Sequence, residues 1–462
     1  MIPLTLAEVA TAVGGELVGG VGEAVVSGPV VTDARLAAPG SLYVARVGEH
    51  ADGHDYVDQA REHGAVAALT SRPVDGLACV VVTDVQEAFA TLARDVVARV
   101  PGLSVVAVTG SSGKTSTKDL LAQVLATHGP TVASAESFNG EVGVPLTALR
   151  LEAGTRFLVL EMGARGIGHL SYLTGIVAPD VSMVLNVGTA HVGEFGSVEA
   201  IARAKSELVS DLPETALAVL NADDHRVAAM ATLTRARVAT FGSDGDVRAQ
   251  DVRLDDRARA SFTLVTRAGS ADVRLAVHGE HQVGNALAVA AVGLALGMDV
   301  PSVAAALSSA QAVSRWRMEV TERPDGVTVV NDAYNANPDS VRAALKALVG
   351  MAAGRRSWAV LGEMRELGAD AVNEHDGIGR LAVRLGVDRL VVVGAAGTPV
   401  AAMHTGAVME GSWGEESVLV PDVDAAHDLV SAALEPGDVV LLKSSRDSGL
   451  RWLGERLAGD GR

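Results

Sequence analysis

Short apolar runs recur along this chain, separated by stretches in which apolar positions return every three or four residues, the pattern of strands alternating with helices. In the first hundred residues β-rich runs at 25–31, 41–45 and 78–83 alternate with helical patterns at 56–63 and 86–100, and Pro101-Gly102 closes the series. A buried-strand pattern over 103–109 then enters a glycine turn and a helix predicted over 115–128. Strands at 157–160, 181–186 and 216–220 continue the alternation, as in a wound, mostly parallel sheet. A polar β-rich segment at 247–277 and helices at 284–296 and 302–310 follow. Beyond Arg315, strands at 327–331, 357–361, 389–393, 418–420 and 438–442 with helices between them form a Rossmann-like pattern. The pattern predicts an α/β protein of three domains: a small α/β domain at 1–100, a central parallel-sheet domain at 101–312 and a Rossmann-like domain at 313–462.

Length supports that division, since 462 residues exceed what one hydrophobic core organises. The net charge of −18 opposes nucleic acid and anionic membranes as partners. A lone cysteine, Cys79, forms no internal disulfide, and the first residues lack a basic stretch followed by an apolar one, so the chain reads as cytoplasmic. No apolar run reaches the length of a membrane span. Of the 38 basic residues only Lys114, Lys118, Lys205, Lys346 and Lys443 are lysine. Against that arginine background each lysine raises a question about chemistry.

Gly110-Ser111-Ser112-Gly113-Lys114-Thr115-Ser116 follows a strand and opens a helix, where successive N–H groups and a helix N-terminus cradle phosphate oxygens. Lys114 would reach the β- and γ-phosphates, and the Thr115 hydroxyl would ligate Mg²⁺. Val108 stands six residues before Lys114, so the loop is GxxGKT and shorter than the common GxxxxGK[ST]. The plain alternative is a Ser/Gly-rich turn capping a helix. Glu161 ends the strand 157–160 and becomes a second metal-ligand candidate, the alternative being a solvated loop acid. Asn186-Val-Gly-Thr-Ala-His191 also follows a strand, and Lys205 lies fourteen residues later on a helix. Both His191 and Lys205 are candidates for the same crevice, against the readings of a core histidine and a solvated lysine.

At this point the motifs resemble the Mur ligase family, ATP-dependent enzymes that extend the peptidoglycan stem peptide. The loop 109–115, the Gly279, His281 and Asn285 pattern, and Lys205 in Ala204-Lys-Ser-Glu207 carry that resemblance over essentially the whole chain. The segments 331–338 (NDAYNANP), 361–368 (LGEMRELG) and 137–145 resemble the members that add D-alanyl-D-alanine to UDP-N-acetylmuramoyl-tripeptide. The resemblance implies that 1–100 binds the UDP-sugar peptide, through Asp33, Arg35 and His54, with Asn139 also on the substrate. It implies ATP and two Mg²⁺ ions, one held by Thr115 and Glu161 and the other by His191 and a carbamate on Lys205. Asn285 would face the adenine, Asp332 the ribose or Lys443, and Arg315 would complete the cationic clamp from the third domain. A monomer is expected. Ala34 stands where Ser or Thr is usual, and Ser444 replaces a glycine, so a loop needing positive φ there would be strained. The competing readings are another Mur ligase, a folylpolyglutamate-synthase-like ligase, or a P-loop switch that ligates nothing.

Overall fold

A computed structural model describes residues 1–190, 192–412, 414 and 416–459. The chain forms two compact units that do not follow sequence order. One comprises 1–108, 128–163 and 169–182, and the other 109–127, 164–168 and the remainder from 183.

In the first unit, five strands lie in the order Glu16–Val18, Ala78–Val81, Ala65–Thr70, Ser41–Val44 and Val30–Val31. All neighbours are parallel except the first pair. The apolar run at 25–31 is two strands, because Val25–Val26 leaves this sheet to pair with Leu4–Thr5. Val85–Ala98 forms a helix capped by the Asp84 side chain, which accepts from the Glu87 N–H. The same unit holds a parallel ladder in which Phe157–Glu161 lies between Thr131–Ala133 and the strand that begins at Ser104. Every residue of Phe157–Glu161 is buried, as expected for a strand covered on both faces.

In the second unit, Leu217–Asn221 pairs in parallel with Arg237–Phe241. The polar segment resolves into three antiparallel strands, Arg248–Leu254, Arg259–Thr266 and Gly269–His278. The helix Lys114–Ala126 packs on Gln282–Ala295, whose Ala, Val and Leu residues are buried nearly all round. The last sheet runs Glu319–Glu322, Thr328–Asn331, Val439–Lys443, Ser357–Leu361, Arg389–Val393 and Ser417–Val420, antiparallel only at its first edge. Side-chain alternation assigns Val330, Leu361, Val392 and Leu441 to one core and Val329, Val360, Val391 and Leu442 to another, so helices cover both faces. Parallel strands put their carboxyl ends at one edge, which brings Asp332, Lys443 and Gly362 together there.

Candidate active site

The phosphate loop is fixed mainly by its neighbours in the second unit. Gly113 has φ +79° and caps the helix Lys114–Ala126, a conformation that suits glycine alone, and a β-carbon there would meet the Asn285 Oδ1 at 2.9 Å. Asn285 is buried and donates its Nδ2 to the Gln282 Oε1 at 2.9 Å, so its amide is held against the loop. On the other side the Ser112 N–H donates to the Asn186 Oδ1 at 2.9 Å, and the Asn186 Nδ2 returns a bond to the Ser112 carbonyl at 3.1 Å. The Gly188 N–H donates to the Ser111 Oγ at 2.9 Å. Thus the run that follows the strand Val181–Val184 is laced to the loop residue by residue. His191, the end of that run, lies outside the described residues.

Lys114 folds back, donating its Nζ to the Gly110 carbonyl at 2.7 Å. Lys205 stands on the helix Val198–Ser210, capped by Ser197, and is 5% exposed. Burial pushes its amine well below the ordinary lysine pKa, and the Lys114 cation pushes in the same direction. Among the described residues no carboxylate opposes either effect, so both favour the neutral amine.

Arg315 and Arg317 divide the roles that sequence assigns to the first of them. The Arg315 Nη2 donates to the Glu455 Oε1 at 2.5 Å and its side chain is 58% exposed, whereas the Arg317 Nη2 donates to the Thr115 Oγ1 at 3.3 Å. The structure therefore places Arg317 against the loop instead of Arg315. Between the two arginines Trp316 has a left-handed backbone, φ +57°, which sequence propensities do not foresee for tryptophan.

Asp332 faces Lys443, whose Nζ donates to its Oδ2 at 2.5 Å, and not open solvent, being 9% exposed as a residue. The other oxygen, Oδ1, accepts from the Met318 N–H at 3.0 Å. The expected strain at Ser444 is absent, since its φ is not positive. The Ser444 β-carbon instead packs where a β-carbon on Gly362 would stand, 2.8 Å away.

In the first unit Glu161 is 1% exposed and registered against Val108, two residues before Gly110 in sequence. Its Oε1 accepts from the Asn139 Nδ2 at 2.8 Å. Asn139 thus supports a candidate metal ligand, a contact that no sequence motif signals. Asp33 and Arg35 pair with one another at 2.6 Å on the short turn Ala34–Leu36, and the Arg35 side chain is 75% exposed. Ala34, lacking a hydroxyl, is buried beneath them. His54 differs from its expected role as a substrate contact: it is 4% exposed, with Nδ1 bonded to the Asp52 Oδ1 at 2.6 Å and Nε2 accepting from the Ser71 N–H at 3.0 Å. Both ring nitrogens are engaged, so it ties the turn at 53–56 to the end of the strand Ala65–Thr70. Asp52 is held well below the usual carboxylate range, first by the His54 N–H, then by the His54 ring and Arg72.

The Mur ligase family catalytic domain matches residues 29–116, the Mur ligase middle domain 108–293 and the Mur ligase glutamate ligase domain 316–446. The UDP-N-acetylmuramoyl-tripeptide--D-alanyl-D-alanine ligase of Mycobacterium leprae is 49% identical, covering 100% of this chain and 99% of its own. That of Escherichia coli is 36% identical over 85% of this chain and 86% of its own. Among solved structures, MurF from Acinetobacter baumannii superposes with a TM-score of 0.89 at 31% identity, covering 99% of both chains. MurF of Thermotoga maritima in complex with ADP gives 0.80 at 28% identity, over 94% of this chain and 98% of its own. With three domain models along the chain and full-length relatives well above 30% identity, the chain belongs to the Mur ligase family.

Proposed function

We infer that the chain is an ATP-dependent ligase that joins D-alanyl-D-alanine to UDP-N-acetylmuramoyl-tripeptide in peptidoglycan precursor synthesis. The observation that carries this reading is the full-length 49% identity to ligases of that name. The site supplies matching chemistry. An amide forms only once the carboxylate has a leaving group, so the tripeptide carboxylate attacks the ATP γ-phosphoryl and gives an acyl phosphate and ADP. The dipeptide amine then attacks that carbonyl and phosphate departs. A carboxylate nearing a triphosphate gathers several negative charges within a few ångströms, and cations must offset them. Lys114, released from the Gly110 carbonyl, and Arg317, already at the loop, are the two placed to do so. The N–H groups of 110–116 would cradle the phosphates, with Asn285 and Asp332 on the nucleoside side.

Lys205 fits a carbamate, because only a neutral amine attacks CO₂ and burial favours that form here. Its nitrogen gains the CO₂ carbon and loses a proton, turning a base into an oxygen donor of charge −1. Thr115 and Glu161 are buried oxygen donors of the kind Mg²⁺ takes, and we assign one ion to them and a second to His191 and carbamylated Lys205. Bound there, Mg²⁺ would neutralise phosphate charge. Among the described residues no group of three His, Cys, Asp or Glu side chains could hold a metal ion.

We further propose the partition 1–100 for the UDP-sugar peptide, with Asp33 and Arg35 at its surface, 101–312 for ATP, and 313–462 for the Rossmann-like domain. A monomer in the cytoplasm suits these substrates, and no helix among the described residues is long and apolar enough to cross a membrane. Phosphate release measured with ATP and each combination of substrates tests the reading: it should need both the dipeptide and the UDP-sugar peptide. A P-loop switch would ignore the dipeptide. Mass spectrometry of the product made from lysine- and diaminopimelate-containing tripeptides identifies the third stem residue.

A further inference from the structure

Two left-handed residues flank Arg317: Trp316 at φ +57° and Met318 at φ +51°. Side chains larger than glycine persist in that region only where the surroundings over-determine them. Here they do. The Trp316 N–H donates to the Glu319 Oε2 at 2.8 Å, its Nε1 donates to the Glu455 Oε1 at 3.0 Å, and its carbonyl accepts from the Tyr334 N–H at 3.2 Å. The Arg451 guanidinium lies 5.1 Å from the Trp316 ring and 4.9 Å from Trp452, and the two indoles meet edge to face at 5.2 Å. The Arg451 Nε and Nη1 are buried and have no hydrogen-bond partner among the described residues, so its contacts here are with the rings. On the far side Met318 is pinned by the Asp332 Oδ1. Arg317 itself lies over the Tyr334 ring at 4.2 Å and reaches the Thr115 Oγ1.

In a chain with only four tryptophans and four tyrosines, this concentration of rings and arginines around one strained turn has a mechanical meaning. We propose that Trp316 is a positioning residue: its indole, held by Glu455, Arg451 and Trp452, fixes the left-handed turn that presents Arg317 to the phosphate loop. In this role the effect of Trp316 on phosphoryl transfer passes through Arg317. The proposal rests on the reading that Arg317 acts on the phosphoryl group. Arg315 belongs to the same tether, since it shares the Glu455 oxygen with the indole.

The test is a double-mutant cycle on the full chain, reading ADP formation with both substrates, the KM for the UDP-sugar peptide and the melting temperature. Trp316→Ala should lower kcat roughly 10- to 100-fold, as expected of a displaced catalytic cation, with the peptide KM nearly unchanged. Trp316→Phe, which keeps the ring stack and loses the Glu455 bond, should fall between it and wild type. Trp316→Ala in an Arg317→Ala background should cost nothing further, because its route of action is gone. If the two losses multiply, or if Trp316→Ala stays within about twofold of wild type while Arg317→Ala is crippled, Trp316 does not position Arg317 and the proposal fails alone. A near-normal Arg317→Ala would remove the reading beneath it as well. Should Trp316→Ala melt below the assay temperature, Trp316→Phe and Trp452→Ala carry the same cycle.

Discussion

Lys205 and Lys443 are both buried lysines whose amines are pushed below the ordinary pKa, yet their surroundings differ in one respect. Lys443 loses basicity to burial and recovers part of it from Asp332, to which it donates at 2.5 Å, with the Asn335 carbonyl at 3.1 Å as a further acceptor. Lys205 has burial and the Lys114 cation acting together and no acid to oppose them. The first is a structural cation joining two strand ends of one sheet. The second is an amine whose surroundings, burial and the Lys114 cation, both disfavour its proton. Burial alone does not distinguish structure from chemistry; the presence or absence of a counter-charge does.

Exchanging each lysine for methionine separates the two most widely. Lys205→Met should lower ligation on the order of 10²- to 10³-fold, the cost of removing a group that stabilises transferred charge, and should raise stability at neutral pH, because the desolvation cost of the buried amine is gone. Lys443→Met should do the reverse to the fold, costing about 3–5 kcal/mol in urea unfolding, because Asp332 is left buried and unpaired. Equal destabilisation by the two variants would erase the distinction.

The pH dependence of stability sharpens it. In CO₂-free buffer the unfolded chain keeps the Lys205 proton up to about pH 10.5, the ordinary value for a solvated lysine, whereas the folded chain has lost it well below. Between those two pH values the unfolded state binds more protons, so stability should rise with pH over that window and level off on either side. The rise should be smaller in Lys205→Met. Denaturant midpoints taken from neutral pH to about pH 10 read it directly.

The smallest effect belongs to the exposed pair. Arg35→Ala breaks its bond to Asp33, and because both groups meet solvent the melting temperature should scarcely move. Calorimetric affinity for the UDP-sugar peptide should fall. An unchanged affinity would take Arg35 out of that site.

Much of this arrangement is legible in the sequence because it is local. The strand, loop and helix around 104–126 follow from an apolar run, two glycines and a helix-forming stretch, and the strands Phe157–Glu161 and Val439–Lys443 from buried runs of the right length. The strand Ala65–Thr70 is harder to see, because its alanines carry weak β preference and its pairing is non-local. Arg315 reads as the clamp in place of Arg317 because nothing in the order Ser-Arg-Trp-Arg-Met signals that Trp316 and Met318 take positive φ and turn the second arginine inward. His54 reads as a surface contact because its partners, Asp52 and Ser71, come together only when the turn meets a strand end.

The central claim is that Lys205 works through a carbamate formed on its amine and not as a cation. The most direct measurement is the steady-state ligation rate of Lys205→Arg, which keeps the charge and cannot lose its proton to react. The account predicts a rate as low as that of Lys205→Met, at least about 100-fold below wild type, with the fold retained by circular dichroism. A rate near wild type would contradict it.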